Sequence, residues 1–303
     1  PGKTISEKIL SAKSGCDARA GDVVICRADG AMCTDGSVPM AIDSCRAMAG
    51  GRVHAPDRIV FAMDHYAGEG PTAALHAQVR EFAAEQGIRV WEVGEGIGHQ
   101  LMIEHGLARP GGVVLGADSH SVTYGAVNAF ATGIGSSDLA AIFVCGEIWL
   151  KVPQSIRVTL RGSFAPGVYA KDAALALAAE LGADGATYQA LEFGHAELPL
   201  DDRIVLANMA LEMGAKNGIF AGEVTADADA EYAHEITLEL DRLTPRIALP
   251  HRVDSVRPVE SAAGTPVQFV YLGTCTGGRV SDYHEALRLL RAGGGPAAGS
   301  TWW

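Results

Sequence analysis

Basic residues are scarce in this chain: 24 Lys and Arg stand against 36 Asp and Glu, a formal net charge of −12. A surface so acidic attracts neither a phosphate backbone nor anionic lipid, which excludes a general nucleic-acid or membrane-surface binder. Long apolar runs are also missing. Residues 140–150 are interrupted by Glu147 and residues 173–181 by Glu180, so no stretch reaches membrane-spanning length. The start shows no secretory pattern, so the six cysteines are not expected to form a disulfide framework, and a reducing, cytoplasmic location is expected. No Cys-x-x-Cys pair and no internal repeat occur.

What is present is apolar bulk. Nearly half of the 303 residues are hydrophobic, enough to bury the cores of two or three domains. Helix-period and strand-like segments alternate. A short helix over 4–15 closed by Gly15 precedes a buried strand at 23–26; a strand at 58–63 runs into Asp64-His65; a helix at 71–87, capped by Gly87, leads to a strand at 88–93. A strand at 112–116 feeds Asp118-Ser119-His120, and a helix is expected over 137–149. A second unit reads as a strand at 156–160, helices at 171–181 and 202–214, and a strand at 234–240. Residues 245–258, with three prolines, read as a connector. A third begins with a strand at 267–272 and ends in a helix at 282–291. This succession predicts an α/β fold with mainly parallel sheets covered by helices, and polar residues at strand C-termini forming the site. The expected divisions are 1–155, 156–250 and 251–303.

Four short polar signatures stand out. Asp64-His65 follows an apolar strand, where a carboxylate would raise imidazole basicity and orient the ring as a general acid; the plain alternative is a turn capped by Asp. Gly94-Glu95-Gly96-Ile97-Gly98-His99 fails the dinucleotide fingerprint, because its third glycine follows the second too closely. The glycines instead allow close backbone approach around His99. Asp118-Ser119-His120 offers a carboxylate, a hydroxyl and an imidazole for substrate, and no nucleophile elbow surrounds Ser119. Cys275 lies in the turn Gly273-Thr274-Cys275-Thr276-Gly277-Gly278-Arg279, where backbone amides and a helix N-terminus are expected to lower its thiol pKa. Glu212 follows Asn208 by four residues on an expected helix, which places both on one face, with Lys216 and Asn217 extending a polar patch.

Taken in order, these residues resemble the aconitase superfamily, and within it the large subunits of isopropylmalate dehydratases and their homoaconitase-like relatives. The likeness runs from residue 3 to about residue 293. Met63-Asp64-His65, Gly96-Ile97-Gly98-His99 and Gly116-Ala117-Asp118-Ser119-His120-Ser121 carry its first half. The stretch from Gly167 to Asp172, the stretch from Asn208 to Ala215 and the Cys275 loop carry the second. The resemblance implies a three-layer α/β/α large subunit, a [4Fe-4S] cluster and a hydroxy di- or tricarboxylic acid substrate that is dehydrated and rehydrated, 3-isopropylmalate first among them. By the same resemblance, His65 supported by Asp64 would protonate the departing hydroxyl, and His99 with Asp118 would form a second acid-base pair. Ser119, His120 and Asn208 would contact substrate or support the site. Glu212 would orient the water or hydroxyl, and Cys275 would be a cluster ligand. A separate small subunit would carry the swivelling domain.

Departures accompany the matches. The family's Ser-Cys-Thr-Asn stands here as Thr274-Cys275-Thr276-Gly277, and its downstream Cys-x-x-Cys is absent, so the chain is expected to be truncated and unable alone to hold a complete cluster. The Gly-rich end departs from the family's apolar strand. One coding of residues 299–303, shifted in frame, would spell Val-His-Leu-Val, and the tail after about Gly294 is therefore expected to be out of frame. Two other readings stay open: a mononuclear metal hydrolase built on Asp64, His65, Asp118 and His120, and a non-catalytic module that docks a small-subunit partner.

Overall fold

The computed structural model describes residues 1–49, 51–195 and 197–295; the expected out-of-frame tail lies almost wholly outside them. Helix α1 (Ile5–Ser14) starts at Thr4, whose hydroxyl and Glu7 form a capping box, and stops at Gly15 with φ 72°. There follow β1 (Val23–Arg27), β2 (Gly30–Thr34), α2 (Val38–Ala49), β3 (Ile59–Ala62), α3 (Pro71–Gln86), β4 (Arg89–Trp91), α4 (Gly98–Glu104), β5 (Val113–Gly116), β6 (Phe130–Gly133), α5 (Ser136–Cys145) and β7 (Glu147–Lys151). The strands β4-β3-β2-β5-β6 form one parallel sheet. Its central strands β2, β3 and β5 are buried at every residue, as a parallel sheet covered on both faces requires. Phe61, Phe82 and Phe143 pack together on one face and Met102 and Tyr124 on the other. The chain order reverses direction between β2 and β5, and the C-terminal ends of β2, β3 and β5 open on that crevice, where ligands of such sheets bind.

The second sheet is also parallel. It comprises β8 (Ser155–Arg161), β9 (Ala190–His195), β10 (Asn217–Phe220) and β11 (His234–Glu239) in the order β10-β9-β8-β11. Helices α6 (Ala170–Leu181) and α7 (Leu200–Met209) build its core with Val158, Leu177, Phe193 and Leu206. After them come the short ribbon β12 (Arg246–Ala248) and β13 (Val256–Pro258), and then α8 (Val280–Ala292).

Two features join the halves. The 3-10 segment Ser119–Val127 packs on β10 so closely that a Cβ at Gly125 would stand 1.8 Å from the Gly218 carbonyl oxygen. The buried Glu192 carboxylate of β9 accepts the Ile5 and Ser6 amides at 3.0 Å, the Ser6 and Ser155 hydroxyls at 2.9 Å and the Tyr232 hydroxyl at 3.2 Å. It thereby caps α1 from the second sheet, anion against helix N-terminus.

Several expectations are corrected. The helix expected over 137–149 ends at Cys145, where Gly146 turns at φ 71°, and β7 follows. Its Ile148 and Leu150 face inward while Glu147, Trp149 and Lys151 face out, a two-residue period that wins once β1 is there to pair antiparallel. Strand β1 is not wholly buried: Val23 and Ile25 are exposed on that ribbon. The helix expected over 202–214 is broken, since α7 gives way to a 3-10 turn Ala210–Met213 closed by Gly214. The connector at 245–258 holds β12 and β13. Residues 267–272 form no strand among the described residues, only a single bridge at Val270, and Val267, Phe269, Val270 and Tyr271 lie exposed. A strand-forming sequence needs a continuous neighbour to hydrogen-bond, and a lone bridge does not build a ladder.

Candidate functional site

The crevice gathers three carboxylates, one from each strand end. Asp64 follows β3 and Asp118 follows β5, and between them stands His65. Its Nδ1 lies 2.7 Å from Asp64 Oδ1 and its Nε2 3.4 Å from Asp118 Oδ2. Hydrogen bonds to Asp118 and Asp64 raise the His65 pKa from an ordinary 6.5 to about 10, so the ring is an imidazolium at neutral pH. Asp118 is partly buried, which alone would raise its pKa. The hydrogen bonds from His65 and His99 and the His120 amide outweigh burial and hold the carboxyl well below the usual carboxylate range. His99, buried on the first turn of α4, sets Nε2 2.8 Å from Asp118 Oδ1, which leaves Nδ1 to accept the Tyr124 hydroxyl at 2.9 Å. The Gly98 amide donates to Asp64 Oδ2 at 2.7 Å, and a Cβ there would fall 2.8 Å from Ala62 Cβ. The glycine run thus seats α4 against β3.

Asp35, at the end of β2, is the third carboxylate. It is wholly buried and accepts the His65 amide at 3.3 Å, the Tyr66 amide at 3.1 Å and His76 Nε2 at 2.7 Å. The loop carrying His65 is therefore held from behind. Asp35, Asp64 and His65 are near enough to share a metal ion. Their facing atoms are already engaged with N–H donors, which a cation would have to displace.

A second cluster borders the first. His120 Nε2 lies 3.5 Å from Glu212 Oε1, and the hydrogen bond from His120 holds the Glu212 pKa down. Asn208, buried on α7, donates through Nδ2 to Thr123 Oγ1 at 2.9 Å and to Cys275 Sγ at 3.4 Å, and accepts the Thr276 hydroxyl at 2.7 Å. Arg279 donates to the carbonyls of Cys275 at 2.8 Å and Thr276 at 2.9 Å, which fixes the loop as a clamp. The expectation of a depressed Cys275 pKa is overturned: burial pushes the thiol up and outweighs the Asn208 hydrogen bond.

The structure therefore brings together Asp64, His65, His99, Asp118, His120 and Glu212 through contacts, and joins Asn208 to Cys275. Ser119 is exposed and lines a neighbouring cavity with Asp118 instead. Asn208 and Glu212 do not share one regular helix face, because the 3-10 turn intervenes. Lys216 lines the Ser119 cavity, whereas Asn217 is buried in β10 and accepts the Ala131 amide. Sequence reasoning missed Asp35, His76, Thr123 and Tyr124. For Asp35 a signal existed, since Ala31-Met32-Cys33-Thr34 before it is an apolar run ending in a carboxylate like the other two.

Cys275 is the only cysteine in this region among the described residues. Cys26, Cys33 and Cys45 lie in the core, and Cys16 and Cys145 are exposed elsewhere. A [4Fe-4S] cluster is held by a set of thiolates, so the described residues do not by themselves complete such a site.

Comparison with known proteins supplies the context. The model of the aconitase family (aconitate hydratase) matches residues 7–226. The chain is 44% identical to a 3-isopropylmalate dehydratase large subunit of Archaeoglobus fulgidus, over 96% of this chain and 75% of that protein. It is 43% identical to one of Methanopyrus kandleri, over 95% and 75%, and 42% identical to a homoaconitase large subunit of Thermus thermophilus, over 96% and 73%. Among solved structures, Thermococcus kodakaraensis aconitase X in its holo-form shares the fold, with a TM-score of 0.54 at 15% identity, covering 96% of this chain and 73% of that one. No described helix is long and apolar enough to cross a membrane.

Proposed function

Because the chain belongs to the aconitase family, we propose that it is the large subunit of a hydro-lyase that dehydrates and rehydrates a 2-hydroxy dicarboxylic acid, 3-isopropylmalate first. The observation that carries the reading is the His65 imidazolium held between the Asp64 and Asp118 carboxylates. A leaving hydroxyl must depart as water, and a positioned imidazolium provides that proton. Asp64 keeps the ring oriented through Nδ1, and Asp118 stabilises its charge. On hydration the neutral His65 ring takes the proton back from the entering water, while Asp118, with His99 behind it, stays ionised and holds the ring in place; the base that removes the carbon-bound proton would come from the small subunit. Glu212 with His120 orients the departing or entering water, and Ser119 and Asn208 contact or support bound substrate.

In the same reading Cys275 is one thiolate of a [4Fe-4S] cluster whose remaining ligands the described residues do not supply. The relatives named large subunits argue for a small-subunit partner, which would carry the swivelling domain. The division at 1–155, 156–250 and 251–303 and a cytoplasmic location belong to this proposal too. The test is substrate choice. Extended by a relative's downstream Cys-x-x-Cys segment, which supplies the missing thiolates, and combined anaerobically with iron, sulfide and that relative's small subunit, the chain should convert 3-isopropylmalate to a conjugated acid, followed by ultraviolet absorbance, faster than homocitrate or malate. Conversion of homocitrate alone would reassign it to the homoaconitase reaction, and conversion of none would refute the hydro-lyase reading.

A further inference from the structure

A cavity of about 550 Å³ or less in each case opens on either side of the acid-base cluster, and the one beside Ser119 has a distinctive charge. It measures about 540 Å³ and lies between the end of the first sheet and the start of β10. Asp118 and Ser119 form one wall, the loop Gly133-Ile134-Gly135 a second, and Tyr188 and Lys216 a third, with the apolar side chains of β7 closing it.

Lys216 is half-buried, and no carboxylate stands within ion-pair distance of it among the described residues. Its Nζ donates to the Gly133 carbonyl at 3.4 Å and lies 5.5 Å from the centre of the Tyr188 ring. Those two contacts orient the ammonium without neutralising it. Asp138, on the first turn of α5, also borders the cavity, and its charge favours the Lys216 ammonium, but it makes no ion pair with Lys216 and does not outweigh burial. Removing an ammonium from water is costly, and burial accordingly lowers the Lys216 pKa. A chain with an excess of acids has placed on this cavity, together with its reactive carboxylate, a cation that forms no ion pair among the described residues. The Ser119 hydroxyl, exposed on the same cavity, is a second donor.

We propose that Lys216 extends the Ser119 contact into an anion subsite that binds a carboxylate of the hydroxy acid, holding the substrate with its hydroxyl-bearing carbon towards His65. This subsite rests on the hydro-lyase reading and adds to it a residue that selects for a dicarboxylate. The partial burial of Lys216 makes the carboxylate its missing counter-ion. A bound anion would in turn raise the Lys216 pKa, because it stabilises the charged form.

The test uses the whole chain with its lysines ¹³C-dimethylated, the Lys216 resonance being assigned by its absence in Lys216→Gln. The His65 ring is followed in parallel by ¹⁵N. Titration with 3-isopropylmalate should shift both the Lys216 and the His65 signals and move the Lys216 titration midpoint upward. In Lys216→Gln the dissociation constant should rise about tenfold or more, as expected when a charged hydrogen bond is lost, whereas Lys216→Arg should stay within about threefold of wild type. A shift at His65 without one at Lys216 overturns the subsite and leaves the hydro-lyase reading standing. No shift at either overturns both. An equal response of Lys216 to acetate or inorganic phosphate at the same concentration also overturns it, since the site would then be a general anion trap.

Discussion

Replacing Asp118 by Asn keeps the shape of the side chain and removes its charge, so it isolates what that charge does. Asp118 meets His65 Nε2 at 3.4 Å, His99 Nε2 at 2.8 Å and the His120 amide at 2.8 Å. It is the first cause of the rise in the His65 pKa from 6.5 to about 10, with Asp64 second. An opposite charge at this range moves a pKa by about 1–3 units, so in Asp118→Asn the His65 midpoint should fall to about 7–9. The sign follows from the raised value. The stabilisation gained by charging His65 is fully present below pH 6.5 and is lost as pH rises through about 10; in the variant it is smaller and is lost at lower pH. Turnover that needs the His65 proton should share this alkaline limit. ¹⁵N-resolved titration of the His65 ring measures the midpoint directly. A midpoint that stayed near 10 in the variant, or rose, would refute the view that Asp118 holds this proton in place.

Other outcomes follow from the same geometry. Glu192→Ala strands two amides and three hydroxyls and should destabilise the chain by about 3–5 kcal/mol, read as a lowered urea midpoint with unchanged slope. Gly125→Ala drives a Cβ into the Gly218 carbonyl and should cost about 1–3 kcal/mol or more, measured in the same way. Asn208→Ala removes the hydrogen bond that favours the Cys275 thiolate. Alkylation of Cys275 at mildly alkaline pH, followed by peptide mass spectrometry, should slow; acceleration would mean that Asn208 acts mainly as a lid.

Much of the first sheet was legible in sequence, because buried parallel strands read as short apolar runs and each reactive carboxylate follows one. Asp64 and Asp118 could be found in this way. Asp35 fits the same rule, yet its role depends on Tyr66 and His76 folding back over β2, which no local pattern announces. The expected Cys275 thiolate failed for a related reason: the turn amides are a local feature, whereas its burial against α7 is tertiary. Strand β7 was read as helix because the apolar run through α5 continues past Gly146, and only pairing with β1 decides the period. Ser119 and His120 are adjacent in sequence, yet Ser119 lines the cavity beside Asp118 while His120 meets Glu212, since a 3-10 turn sends consecutive side chains apart.

The central claim is that His65 delivers the proton on which dehydration depends. Initial rates of 3-isopropylmalate dehydration should be compared between wild type and His65→Gln, each extended by the same downstream Cys-x-x-Cys segment and combined anaerobically with iron, sulfide and the small subunit. Loss of a general acid should lower the rate by about 100- to 10,000-fold while substrate still shifts the Lys216 signal. A His65→Gln chain that turned over within a few-fold of wild type would contradict the account.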